Sequence, residues 1–211
     1  MKTKQLLFYM LAGLLGGCFP VMSLHPLYTE EDVAFEENLV GTWVDDPNGP
    51  ETTWEFSRAG PKEKVYKLVF SDKDGKKGSF DVHLVKLKER FFLDVYPSEL
   101  PWKPEDPNKV KWLYNSLFLI PAHTFLKIDS IESQLKMRLT DDEELKEQVL
   151  WEDPNAVKHM SIESRIILTA STKELQAFVL KHADDNRVFT GEIVLNRKKS
   201  KNPNSPSNIG P

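Results

Sequence analysis

The stretch VYKLVFSDKDGKKGSFDVHLVKLKERFFLDVY, residues 65–96, decides the fold class. Tyr66, Leu68 and Phe70 recur at every second position, and Phe80, Val82 and Leu84 do the same one segment later. A period of two places each set on one face of a strand. Asp74-Gly75 lies between the two runs, a dipeptide that tolerates positive φ in a tight hairpin. Glu89-Arg90 forms a second short reversal before Phe91–Tyr96. Three antiparallel strands in a row are the start of a meander.

Working outward, strand signals precede this core at 39–44 and 52–57. They resume at 123–128, 132–139 and 165–169, and end at 192–197. Between 97 and 115, four prolines and two tryptophans, Trp102 and Trp112, break the pattern and read as a long packed loop. Two helix starts interrupt the later strands. Thr140-Asp141-Asp142-Glu143 and Ser171-Thr172-Lys173-Glu174 are both capping boxes, in which a hydroxyl and a carboxylate satisfy orphaned backbone amides. Behind the second, Leu175, Phe178, Val179 and His182 share a face that should dock on the sheet. About nine short, hairpin-linked strands favour a closed sheet, because closure removes exposed edges. The expected fold is mainly β with two inserted helices, an antiparallel meander closing into a single-domain barrel over 38–197.

The ends have a different composition. Lys2 and Lys4 precede a ten-residue apolar run, Leu6–Leu15, and small residues lead to Cys18. That run is half the length a spanning helix needs, so 1–17 reads as a signal peptide. Residues 18–37 read as a tether to the domain. Residues 198–211, rich in Lys, Asn, Ser and Pro, read as a disordered tail. The 211-residue chain carries 28 basic and 32 acidic side chains, and loss of the signal takes its net charge from -4 to about -6. A mild acidic balance argues against nucleic acid as a partner and against an electrostatic grip on anionic lipid.

Leu15-Gly16-Gly17-Cys18 resembles the lipobox of bacterial lipoproteins. The resemblance implies cleavage before Cys18, a diacylglyceryl group on its thiol, and acylation of the new amine by a chain such as palmitate. Two or three chains give stable anchoring where one is marginal. Phe19, rather than an aspartate, follows the cysteine, which resembles the class sorted to the outer membrane where the host has two membranes. No other cysteine is present, so the domain must rest on a hydrophobic core rather than on disulfides.

Asn38-Leu39-Val40-Gly41-Thr42-Trp43 resembles the Gly-x-Trp signature of lipocalins and their calycin relatives. The resemblance implies an eight-stranded barrel with Trp43 plugging one end and Arg197, on the last strand, stacked across it. The two helices before the final strand depart from the lipocalin order, which places its main helix after the eighth strand. The chain is also similar to uncharacterised bacterial lipoproteins.

Few residues invite chemistry. Asp72-Lys73-Asp74-Gly75 opens like a calcium loop, but an EF-hand's bidentate glutamate position is occupied by His83 and three lysines crowd the site, so a hairpin turn is the better reading. Asp81 and His83 share a strand face, which most simply meets water. Asp94, flanked by Phe91, Phe92, Leu93 and Val95, needs an arginine or a backbone amide as partner. Should the faces bearing Asp94, Tyr96, Phe92 and His123 point into the barrel, they would add polar groups to an apolar ligand pocket. His159 and His182 have no metal-ligand spacing, and His182 at a helix C-terminus suits the dipole. No Gly-x-Ser-x-Gly elbow, His-Glu-x-x-His or phosphate loop is present. The expectation is a non-enzymatic protein without metal or cofactor.

Three readings of function follow. The first is a lipid-anchored carrier or sensor holding a small apolar ligand in the barrel. The second is an envelope interaction or structural module with a filled barrel, motivated by Trp102 and Trp112. The third is a hydrolase using Asp94 and His123, which requires the two to lie within hydrogen-bond reach of a shared site.

Overall fold

The computed structural model describes residues 20–47, 51–98, 120–140, 142–163 and 165–198. Cys18, Trp102, Trp112, Asp141 and the tail beyond Lys198 lie outside the described residues. Twelve strands form one sheet: β1 (Met22–Ser23), β2 (Val33–Ala34), β3 (Gly41–Val44), β4 (Thr53–Arg58), β5 (Val65–Ser71), β6 (Lys77–Leu87), β7 (Arg90–Pro97), β8 (His123–Ile131), β9 (Gln134–Leu139), β10 (His159–Ile162), β11 (Arg165–Leu168) and β12 (Gly191–Arg197). Helix α1 (Asp142–Leu145) runs on into a π-helical turn over Lys146–Leu150, and α2 spans Thr172–Lys181.

Strands β3 to β9 pair in sequence order, each antiparallel to the next, and β12 pairs with both β9 and β3. The ring therefore closes as an eight-stranded antiparallel barrel of lipocalin-like form, with both helices inserted before its last strand. The hairpin at Asp74-Gly75 forms where the dipeptide allows it, with Gly75 at φ 79°. The closing seam is short, since β12 meets β3 only at Asn196–Val44 and Arg197–Trp43. One further backbone bond, Lys198 N–H to Thr42 O at 2.8 Å, extends it.

Alternation sorts the apolar residues into two cores. One fills the barrel: Trp43, Phe56, Tyr66, Leu68, Val82, Leu84, Leu93, Leu126, Leu135, Met137 and Leu195 are all buried. The other lies outside it, where Leu175, Phe178 and Val179 of α2 pack with Val85, Phe92 and Phe125 on the outer faces of β6, β7 and β8. The capping box of α2 is formed, with Glu174 accepting hydrogen bonds from the Ser171 backbone N–H (2.9 Å) and hydroxyl (2.7 Å).

The segment read as a tether is, from residue 20 onward, part of the fold. Val21, Leu27 and Val33 are buried, β1 pairs with β8 and β11, and β2 pairs with β6 where β5 has ended. Its apolar residues follow no regular period because they pack one at a time, Val21, Leu27 and Tyr28 in the outer core and Ala34 and Phe35 against the barrel core. We refer to residues 20–36 as the N-terminal strap.

Candidate functional site

Asp94 sits between Leu93 and Val95, whose side chains belong to the barrel core. Strand alternation therefore turns its carboxylate outward. Phe92, Tyr96 and His123 share that outer side, so none of the four lines the barrel interior. Phe92 is fully buried in the outer core, 6.0 Å from the Phe189 ring.

The strap covers this part of the outer wall. Asp94 is completely inaccessible, and its two oxygens are both occupied. Oδ2 accepts the Leu27 backbone N–H at 2.6 Å, and Oδ1 lies 2.6 Å from Nδ1 of His123. The direction of this bond follows the tautomer of the imidazole. The Tyr96 ring packs on His123 at 4.5 Å. His83 is the cross-strand partner of Asp94, and Tyr28 of the strap stacks on it at 4.0 Å. Burial lowers the pKa of His83, outweighing the opposing pull of Asp94, Asp81 and Glu30. Its Nδ1 is buried without a hydrogen-bond partner. Burial, followed by the charge of Asp94, raises the Tyr28 hydroxyl. Asp81 stays at the surface, paired to Lys67 at 2.5 Å.

A buried carboxylate that holds an imidazole by Nδ1 is the orienting half of a hydrolytic triad. A triad also needs a nucleophile. Ser23 is the cross-strand partner of His123, yet it is fully buried, donating to His25 O (2.8 Å) and accepting from His25 N–H (3.2 Å). Its hydroxyl is committed to a turn. The group acts as a tie, fastening strap to barrel. Three further bonds run from α2 to the strap, Thr172 Oγ1 to Pro26 O (2.8 Å) and Gln176 Nε2 to Leu27 O (2.9 Å) and to Asp32 Oδ2 (2.8 Å). The strap's part in this cluster was hidden in the sequence; the one clue was that Asp94 needed a backbone amide, and Leu27 supplies it from 67 residues away.

At the start of the barrel, Trp43 is fully buried and donates its indole N–H to Leu39 O at 2.9 Å. Arg197 lies over its ring, 4.3 Å from the centroid, and donates to Val40 O (2.9 Å) and to Asn38 O. Gly41 has φ 131°, and a Cβ there would stand 2.8 Å from an Arg197 nitrogen. Glycine is thus demanded twice, by conformation and by the guanidinium.

Several hollows occur among the described residues. A recess of about 570 Å³ beside Phe91 and Ile128 is edged by Arg90, Lys127, Asp129 and Asp184. Its cations are already paired, Arg90 with Asp184 and Lys127 with Asp129 at 3.0 Å. Beneath α2 the space is only about 10 Å³, room for one water at most. Among the described residues no cluster of three or more His, Cys, Asp or Glu side chains could hold a metal ion. Among the same residues no helix is long and apolar enough to cross a membrane. Compared with known proteins, the chain matches no family model, no curated protein and no solved structure.

Proposed function

We propose that this protein is exported, acylated on Cys18 and held in the cell envelope, at the outer membrane where the host has two. There its barrel serves as a solid scaffold whose outer surface engages an envelope protein. The observation that carries the scaffold reading is the filled interior. Trp43, Tyr66, Leu84, Leu93, Leu135 and Met137 meet inside the ring with no exposure at all. Side chains that water cannot touch do not line a ligand chamber, which in proteins runs to about 300–1,000 Å³. The address reading rests on Leu15-Gly16-Gly17-Cys18.

The test is crosslinking in intact cells from a photoreactive residue on the outer wall, at Lys67 or Glu192. A discrete covalent adduct with one envelope protein supports the scaffold reading. A monomer that crosslinks to nothing at any outer position contradicts it.

A second reading keeps a small apolar ligand at the barrel's other end. Phe80, Leu139 and Ile193 are only half-buried there, on strand positions that do not pair with Trp43 or Arg197. A ligand at that end would contact rings at the rim rather than occupy the centre.

A further inference from the structure

The strap brings the start of the fold very close to Cys18. Pro20 is the second residue after it, and Val21 is already buried, with its N–H bonded to Thr140 O at 2.9 Å. Two residues of chain span at most about 7 Å. A lipid on Cys18 would therefore hold this part of the molecule against the bilayer, with no tether to let it swing away.

The surface at that point carries several apolar side chains, with Arg165 at its edge as the register partner of Ile162. Beyond the barrel rim, β1 joins β8 where β9 has turned aside, and carries β11 and β10 with it as a three-stranded flap. Met22 is the register partner of Thr124, which shares the inward side of β8 with Leu126 and Ile128. The flap face bearing Met22, Ile167 and Met160 thus continues the inner face of the barrel past its rim. Ile162 lies on the same face two residues from Met160, and Leu24 two residues from Met22, with its N–H still bonded to Leu168 O at 3.0 Å. Exposure is 43 % for Met160, 52 % for Ile162 and 39 % for Leu24. The other face of the flap, with Ser23, Ile166 and Leu168, is buried on the outer core.

We propose that this flap face is a membrane-docking surface, with Met22, Leu24, Met160 and Ile162 seated in the headgroup and upper acyl region of the bilayer. The inference rests on the lipid anchoring proposed above. Amphipathic elements bury their apolar side to a depth of about 5–10 Å in that region. An acyl anchor alone fixes a point, whereas a second apolar contact fixes orientation. The mature chain is acidic, so apolar contact, rather than charge, must supply it.

The experiment uses the full-length protein, lipidated in its host and reconstituted into phosphatidylcholine vesicles. With Cys18 acylated no thiol remains, so Met160→Cys, Ile162→Cys and Glu55→Cys each give one labelling site. Glu55 is on β4, four strands around the ring from β8. An environment-sensitive fluorophore at 160 or 162 should shift to the blue and be quenched by lipids brominated on their acyl chains. The same label at 55 should do neither. If labels at 160 and 162 stay as exposed as the one at 55, while the protein remains vesicle-bound and its N-terminal peptide carries acyl mass, the docking face is wrong and the anchor stands. An N-terminal peptide with an unmodified Cys18 overturns the anchor itself, and with it the ground for this inference.

Discussion

The Asp94 carboxylate and the His123 imidazole meet at 2.6 Å on the outside of the barrel, under a strap that donates the Leu27 N–H to the same carboxylate. A Asp–His pair of this kind invites a catalytic interpretation. Its setting also gives it a structural role, because one carboxylate oxygen holds the first structured segment of the chain to the wall while the other holds the imidazole. The segment so held is the one that leads directly to Cys18.

Asp94→Asn should therefore loosen the strap before it affects the barrel. The variant weakens the carboxylate's bonds to the Leu27 N–H and the His123 imidazole, at a cost of about 2–4 kcal/mol. Urea denaturation should register that loss. Hydrogen exchange should show faster exchange at Leu27 and its neighbours, with the Leu84 and Leu93 amides less affected. Unchanged exchange in the strap would contradict the tie.

Arg197 closes the barrel where the strand pairing is shortest, and Gly41 makes room for it. Gly41→Ala should destabilise by about 1–3 kcal/mol from backbone strain alone, with the Cβ–guanidinium clash added. Arg197→Ala removes a bonded cation from above Trp43. Combining the two should cost less than the sum of the single effects, because the clash disappears with the arginine. Strict additivity in a double-mutant cycle would show that the two residues do not meet.

The buried imidazole of His83 makes stability depend on pH. Its folded pKa lies below the ordinary 6.5, with burial as the cause. Between that lowered value and 6.5 the unfolded chain binds a proton that the folded chain does not. Stability contributed by neutral His83 is thus complete above 6.5 and is lost as pH falls through the folded pKa. Denaturant midpoints measured downward from pH 7.5 should fall more steeply for the native protein than for His83→Phe, which keeps the ring stacked under Tyr28. Parallel profiles would remove His83 from the account.

The barrel interior should be intolerant of truncation. Met137→Ala in a fully buried site should cost about 2–5 kcal/mol. A chamber that normally held a ligand would absorb the change more cheaply. Thermal melts of the variant alone, and with added hydrocarbon, distinguish the two.

Cys18→Ala should appear in the soluble fraction after washing, with its barrel intact by circular dichroism. Retention in the membrane pellet would mean that acyl chains on Cys18 are not what holds the protein there.

Much of the barrel was legible in the sequence because its strands obey local rules. The alternation of Tyr66, Leu68 and Phe70, the turn at Asp74-Gly75 and the run Phe91–Tyr96 all correspond to observed strands. Residues 165–169 and 192–197 mark β11 and β12 almost to the residue. The strap was not legible, because Leu27 and Tyr28 acquire meaning only from Asp94 and His83, more than fifty positions away. β10 was also missed, since Met160 and Ile162 alternate over only four residues. The hardest question was which face of β7 looks inward. Alternation separates Asp94 from Leu93 and Val95, but only closure of the ring assigns the inside to the apolar set.

Native mass spectrometry of the mature protein, released from membranes in mild detergent, tests the filled barrel most directly. The account predicts the mass of the acylated chain and nothing more, with no apolar molecule recovered by solvent extraction after the detergent is exchanged. A stoichiometric small molecule that is released only when the barrel unfolds would contradict it.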